Sequence, residues 1–193
     1  MPAKSYVHVV ICPRFLSSDN RSHYHDPVRE DGAASIRLGL ARLADTLLRE
    51  GRQVLFVPFH AAEGDNDMRE IGVVRAAMRE RGAAVLDHTP SPAAAASLLG
   101  SASLVVGLRL HSLILAASLS VPVVSVGYDE KIAGFLDMAG VPECLAEPAD
   151  LSRKAFDALD RRERLGGILR ESCAGMKTRV MREAKVVAGL LSG

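Results

Sequence analysis

Residues 103–126 read SLVVGLRLHSLILAASLSVPVVSV, and their pattern decides the fold class. Ser103 to Val106 is a short branched run that suits a strand. Leu110 to Leu119 is an almost wholly apolar helix, which the pattern predicts to be buried. Val121 to Val126 is again a strand. Two strands joined by one helix form a parallel pair with a crossover.

The same alternation extends in both directions. Tyr6 to Cys12 reads as the first strand, followed by a polar stretch from about Phe15 to Gly32. An amphipathic helix is expected near Ala33 to Arg49, with Ile36, Leu40, Leu43 and Leu47 on one face and Gly51 closing it. Val54 to Phe59 is a second strand, and Asp67 with Glu70 has the spacing of a capping box opening a helix to about Arg81. Ala84 to Leu86 is a short third strand, and Ser91 to Leu99 is helical. After the fifth strand comes a helix at Lys131 to Ala139. The pattern is then weak until a long helix from about Arg161 to Leu191, whose apolar stripe outruns what one small sheet needs. The reading is an α/β fold, a doubly wound, mostly parallel, Rossmann-like sheet in a three-layer α/β/α arrangement. Residues 1–193 are expected to form one domain, with a core at about 6–145 and a C-terminal helical segment at about 150–192.

Composition narrows the partners. With 193 residues and 48% hydrophobic content the chain can bury a full core. Its 24 basic and 23 acidic residues leave a formal charge of +1, no footprint for nucleic acid or an anionic membrane surface. Cys12, Cys144 and Cys173 are odd in number and follow no metal-ligand spacing, which suits a reducing compartment. The N-terminal run lacks a signal-peptide core and no stretch approaches a membrane span, so a cytoplasmic protein is expected.

Ligands of open parallel sheets bind beyond the carboxyl ends of the strands, where strand order reverses. For the order 3-2-1-4-5, the loops after strands one, four and five share that edge, with neighbouring strands only about 5 Å apart. They carry Arg14, then Arg109 and His111, then Tyr128, Asp129, Glu130 and Lys131. Three cations and a histidine therefore converge, beside a helix N-terminus whose free N–H groups also favour anions. A small, strongly anionic ligand follows. Each residue also has a plain reading: Arg14 as a loop cation, Lys131 as a surface lysine, Asp129 and Glu130 as helix starters, Asp65 and Asp67 as turn and cap residues. Arg109 and His111 are two apart, so both face one ligand only if Arg109 precedes the helix. His60 ends strand two at the same edge. His23 and His25 form an isolated His-x-His without a third ligand, so no metal site is expected, and the long loop that holds them has the length of a lid. There is no Gly-x-Gly-x-x-Gly after strand one, no P-loop and no Gly-x-Ser-x-Gly elbow, which argues against dinucleotides, Walker-type NTPases and hydrolases.

The segment 107–135, GLRLHSLILAA followed by VPVVSVGYDEKIAGF, resembles the core signature of the polysaccharide pyruvyl transferase family, CsaB-like in flavour. Arg14 and the Val-Pro-Phe-His at 57–60 extend the resemblance over roughly residues 6–140. It implies a fold like the C-terminal, donor-binding half of a GT-B glycosyltransferase. Phosphoenolpyruvate would be the donor and a cell-surface or cell-wall sugar, or a lipid-linked polysaccharide, the acceptor. Arg14, Arg109 and Lys131 would hold carboxylate and phosphate, with Tyr128 and His60 also at the substrate, and His111 would be the acid/base. No cofactor is implied. Family members usually carry a second α/β domain before this one, so the reading admits a separate or missing N-terminal acceptor domain, and also a homo-oligomer. A nucleotide-sugar-dependent GT-B glycosyltransferase and a non-catalytic anion-binding remnant are the alternatives.

Overall fold

A computed structural model describes residues 8–16 and 30–191. Among these residues eight strands and seven helices follow one another as β1 His8–Cys12, α1 Glu30–Arg49, β2 Gln53–Phe56, β3 Ala61–Ala62, β4 Asp65–Asn66, α2 Asp67–Ala77, β5 Ala84–Val85, α3 Pro92–Gly100, β6 Leu104–Gly107, α4 Leu110–Ser118, β7 Val123–Val126, α5 Glu130–Met138, β8 Leu145–Ala146, α6 Leu151–Asp160 and α7 Arg162–Leu191. A 3-10 turn at Pro142–Cys144 precedes β8.

The main sheet has the order β5-β2-β1-β6-β7-β8, every neighbouring pair parallel. The five strands expected from the sequence take the expected 3-2-1-4-5 order, and β8 adds a sixth at the edge. Val9, Val10, Ile11 and Cys12 of the central strand are all fully buried, the continuous apolar run of a parallel strand covered on both faces. α1 packs with α2 and α6, while α4 packs with α3, α5 and α7, giving the three layers.

Several boundaries differ for identifiable reasons. Strand two stops at Phe56, because the N–H groups of Phe59 and His60 turn away to the carboxylate of Asp67. α2 stops at Ala77 rather than Arg81. The buried Asp45 of α1 accepts the N–H groups of Arg79 and Glu80 at 2.9–3.1 Å and draws the chain out of the helix. The cap of α2 is Asn66, whose side chain accepts from Met68 N, not Asp67. α4 is not buried all round: Ser112, Leu113, Ala116 and Ala117 are, but Ile114 is 43% exposed. The long C-terminal helix runs over Arg162–Leu191, as expected, and α6 lies before it in the stretch where the pattern is weak. Leu165 and Leu169 join the core, and Val180 and Val187 farther along are 62% and 54% exposed. Among the described residues no helix is long and apolar enough to cross a membrane.

Gly107 sets how closely α4 approaches the sheet. A Cβ there would lie 2.4 Å from Ser112 Oγ and 2.9 Å from Leu113 Cδ2. Gly107→Ala is therefore expected to lower unfolding stability by about 1–3 kcal/mol, the usual range for overpacking. In most strand positions the same change is neutral or stabilising. Urea denaturation checks it, and an unchanged midpoint would mean that the helix start shifts at no cost.

Candidate functional site

The junction from β6 to α4 is fastened at each carbonyl. Ser125 Oγ donates to Gly107 O at 2.6 Å, Tyr128 Oη donates to Leu108 O, and Ser112 Oγ donates to Arg109 O at 2.7 Å. Leu108 N in turn donates to Cys12 O at 2.9 Å, tying the junction to the end of β1. Burial pushes the Cys12 thiol far above its usual range, and a hydrogen bond with Ser112 opposes this only in part. Cys12 therefore stays protonated and serves as packing rather than as a nucleophile.

Arg109 occupies the N-cap of α4 with extended backbone (φ −87°, ψ 121°). It thus precedes the helix proper, the condition under which it and His111 can share a side. An arginine has no acceptor, so no side chain caps this helix. The N–H groups of Leu110 and His111 lie in the first turn, where no intrahelical acceptor exists. α5 begins differently: Asp129 Oδ1 accepts from Lys131 N at 2.8 Å.

The three loops enclose a cleft of about 210 Å³ lined by Arg14, Leu108, Arg109, Leu110, His111, Tyr128, Asp129, Lys131 and Ile132. Arg14, Arg109, His111, Tyr128 and Lys131, expected from the sequence to meet, are all on its wall. The Arg14 guanidinium stacks over the Tyr128 ring at 5.5 Å, donates to its hydroxyl at 3.3 Å and lies 4.0 Å from Asp129. Burial pushes the Tyr128 hydroxyl up from its usual range although Arg14 works against this, so it remains a donor. His111 and Lys131 are exposed at the mouth. Among the described residues no hydrogen bond or ion pair engages the His111 ring. His60 is not on the wall; its ring sits 3.7 Å from Asp65, and its backbone N donates to Asp67. His23 and His25 lie outside the described residues, and no metal-binding cluster is found among the described ones.

Behind the cleft stands a cluster that the sequence reading missed. Asp67 is fully buried, and its carboxylate accepts from Phe15 N (3.1 Å), Phe59 N (3.0 Å), His60 N (2.9 Å) and the Arg109 guanidinium (2.6–3.2 Å). Asp65, on β4, takes the other edge of the Arg109 fork. One helical turn beyond Asp67, the buried Glu70 accepts from Leu16 N and pairs with Arg37 at 2.8 Å. Partial burial alone would raise the carboxyl of Asp65, but the hydrogen bond and charge of Arg109 outweigh it and hold it below the usual range. The guanidinium is raised in turn: desolvation works against its charge, and the two carboxylates prevail. The available signal was that Asn66 and Asp67 both suit one cap, which leaves one of them over for another task.

A family model described as polysaccharide pyruvyl transferase matches residues 3–130. Among solved structures, the chain is similar to an O-GlcNAc transferase mutant from Thermobaculum terrenum, with 16% identity, 91% of this chain and 33% of that one covered and a TM-score of 0.59. It is also similar to an α,α-trehalose-phosphate synthase (UDP-forming) from Burkholderia vietnamiensis, with 15% identity, 98% and 46% coverage and a TM-score of 0.55. The N-terminal domain of a trehalose-6-phosphate phosphatase from Candida albicans matches at 14% identity, 89% and 39% coverage and a TM-score of 0.55. The chain spans about a third to just under half the length of these structures. At such identities the likeness establishes the fold, the Rossmann-like kind found in GT-B glycosyltransferases.

Proposed function

The chain belongs to the polysaccharide pyruvyl transferase family, and from that premise we propose that it binds phosphoenolpyruvate in the cleft and transfers its enolpyruvyl unit to a sugar as a ketal. One observation carries the proposal. An arginine, a lysine, an exposed histidine and an uncapped helix start, drawn from three loops, line a single cleft at the carboxyl edge of the sheet.

The chemistry asks for these groups. The methylene carbon of phosphoenolpyruvate takes a proton, two sugar hydroxyl oxygens bond to the adjacent carbon, and the bond to phosphate breaks. Of the two hydroxyl protons, one balances the proton delivered to carbon and one leaves with phosphate. His111 would give the proton to carbon and recover one from a hydroxyl, a role for which histidine is the usual side chain. Lys131, Arg14 and the N–H groups at the start of α4 would offset the donor's charge and stabilise departing phosphate. The acceptor, a cell-surface or lipid-linked sugar, would be held by another domain or chain. The three unpaired thiols support a cytoplasmic setting.

A nucleotide-sugar donor is the competing reading, since a structural neighbour is a UDP-forming enzyme. The cleft favours the smaller ligand: about 210 Å³ falls below the roughly 300–1,000 Å³ typical of sites for larger organic molecules. Thermal unfolding with phosphoenolpyruvate, UDP-glucose and sulfate at matched ionic strength separates the two. Phosphoenolpyruvate at a hundredfold excess over its Kd is expected to raise Tm by about 5–10 °C, and the other two by less. Stabilisation by UDP-glucose alone would replace the proposal with a sugar transferase.

A further inference from the structure

We infer that Arg109 is a positioning residue and not a donor-binding cation: clamped between Asp65 and Asp67, it holds the start of α4, and hence His111, against the loop that carries Arg14. The inference rests on the phosphoenolpyruvate reading of the same cleft and changes the role of one residue in it. Arg109 has five N–H bonds, and its contacts to the carboxylates engage all three nitrogens. Nε donates to both oxygens of Asp67 at 3.2 Å, Nη2 to Asp67 at 2.6 Å and also to Asp65, and Nη1 to Asp65 at 3.1 Å. Two carboxylates around one guanidinium sum to a negative charge. An anion reaching Arg109 would have to displace one of them.

The connections run elsewhere. Asp67 accepts from Phe15 N, the residue after Arg14, and Arg109 stands two residues before His111. The path from the Arg14 backbone to the His111 backbone thus crosses two short hydrogen-bonded links through a carboxylate that no water reaches. A lysine cannot span it, because a single ammonium does not present the planar fork that engages two carboxylates at once. Arg14 and the exposed Lys131 remain to meet the donor's charge.

The test is Arg109→Lys, with donor affinity measured by calorimetry using phosphoenolpyruvate and with the His111 ring followed by NMR, its resonance assigned by loss in His111→Gln. In the unaltered protein phosphoenolpyruvate is expected to bind and to move the His111 resonance. In Arg109→Lys its Kd is expected to stay within threefold while that response falls at least by half, and kcat for transfer to fall at least tenfold with KM for the donor little changed. Should this variant not fold, Asp65→Ala, at a partly exposed position, removes the outer edge of the clamp while Asp67 keeps its links, and is expected to weaken the His111 response and kcat in the same direction by a smaller factor, with Kd again within threefold. A tenfold or greater loss of phosphoenolpyruvate affinity with the His111 response retained at saturation would make Arg109 a binding cation and overturn the inference. Unaltered affinity with an unaltered response would show that the clamp positions nothing. Failure of the unaltered protein to bind phosphoenolpyruvate would instead remove the donor assignment, and the inference with it.

Discussion

His111→Ala is expected to lower ketal transfer by about 10² to 10⁴, the span by which a positioned acid or base accelerates proton transfer, or roughly 3–5 kcal/mol of barrier. The ring is exposed at the mouth of the cleft, and no hydrogen bond or ion pair to it occurs among the described residues. Its removal should leave unfolding stability within about 0.5 kcal/mol, as at other surface positions away from special contacts. Donor affinity should stay within about tenfold, because the cations and helix-start N–H groups remain. That combination separates a chemical role from a binding or folding one. The measurement is phosphate release from phosphoenolpyruvate in the presence of an acceptor sugar, beside a urea midpoint and a donor titration. Transfer undiminished in the variant would take the acid/base role away from His111.

The site could be anticipated from sequence because its members sit at strand ends. Once residues 103–126 read as strand, helix and strand, chain order and the switch-point rule brought Arg14, Arg109, His111 and Lys131 to one edge without knowledge of any contact. The spacing of Arg109 and His111 left a real ambiguity, which the extended backbone of Arg109 resolves. What escaped was decided by tertiary structure. Asp67 and Glu70 have capping-box spacing whether their carboxylates face their own helix or a neighbouring loop, and only the folded chain shows them reaching Phe15 and Leu16. Strands β3, β4 and β8 are two residues each, too short for any periodicity to register. α6 falls in the stretch where the pattern is weak, and its break from α7 carries no glycine or proline. Backbone bonds from Arg161 N to Asp157 O and from Leu165 N to Arg161 O continue the helical pattern across it. The stripe beyond Leu169 was legible as surplus, and its exposed Val180 and Val187 agree with that.

Asp67→Ala is expected to cost about 3–5 kcal/mol of unfolding stability, the range for breaking a buried ion pair on one side. The size follows from what the carboxylate holds. Three backbone N–H groups, those of Phe15, Phe59 and His60, would lose their acceptor, and an unmet buried donor costs about 1–3 kcal/mol before any relaxation. Arg109, whose side chain is only 15% exposed, would keep only Asp65. The individual costs are not additive, because the loops after β1 and β2 can open once Asp67 is gone and admit water to the stranded groups. That relaxation caps the loss, and it also separates Arg14 from the start of α4. Set against the roughly 5–15 kcal/mol of a typical domain, the loss should lower Tm by about 6–20 °C for a chain of this length. Asp65→Ala, which leaves the backbone donors of the first two loops satisfied, should cost about 1 kcal/mol, nearer the range of partly exposed ion pairs. Urea titrations of the two variants side by side decide the matter. Equal, small losses would mean that the buried carboxylate is replaceable by water, and that the three loops are held together by their apolar contacts alone.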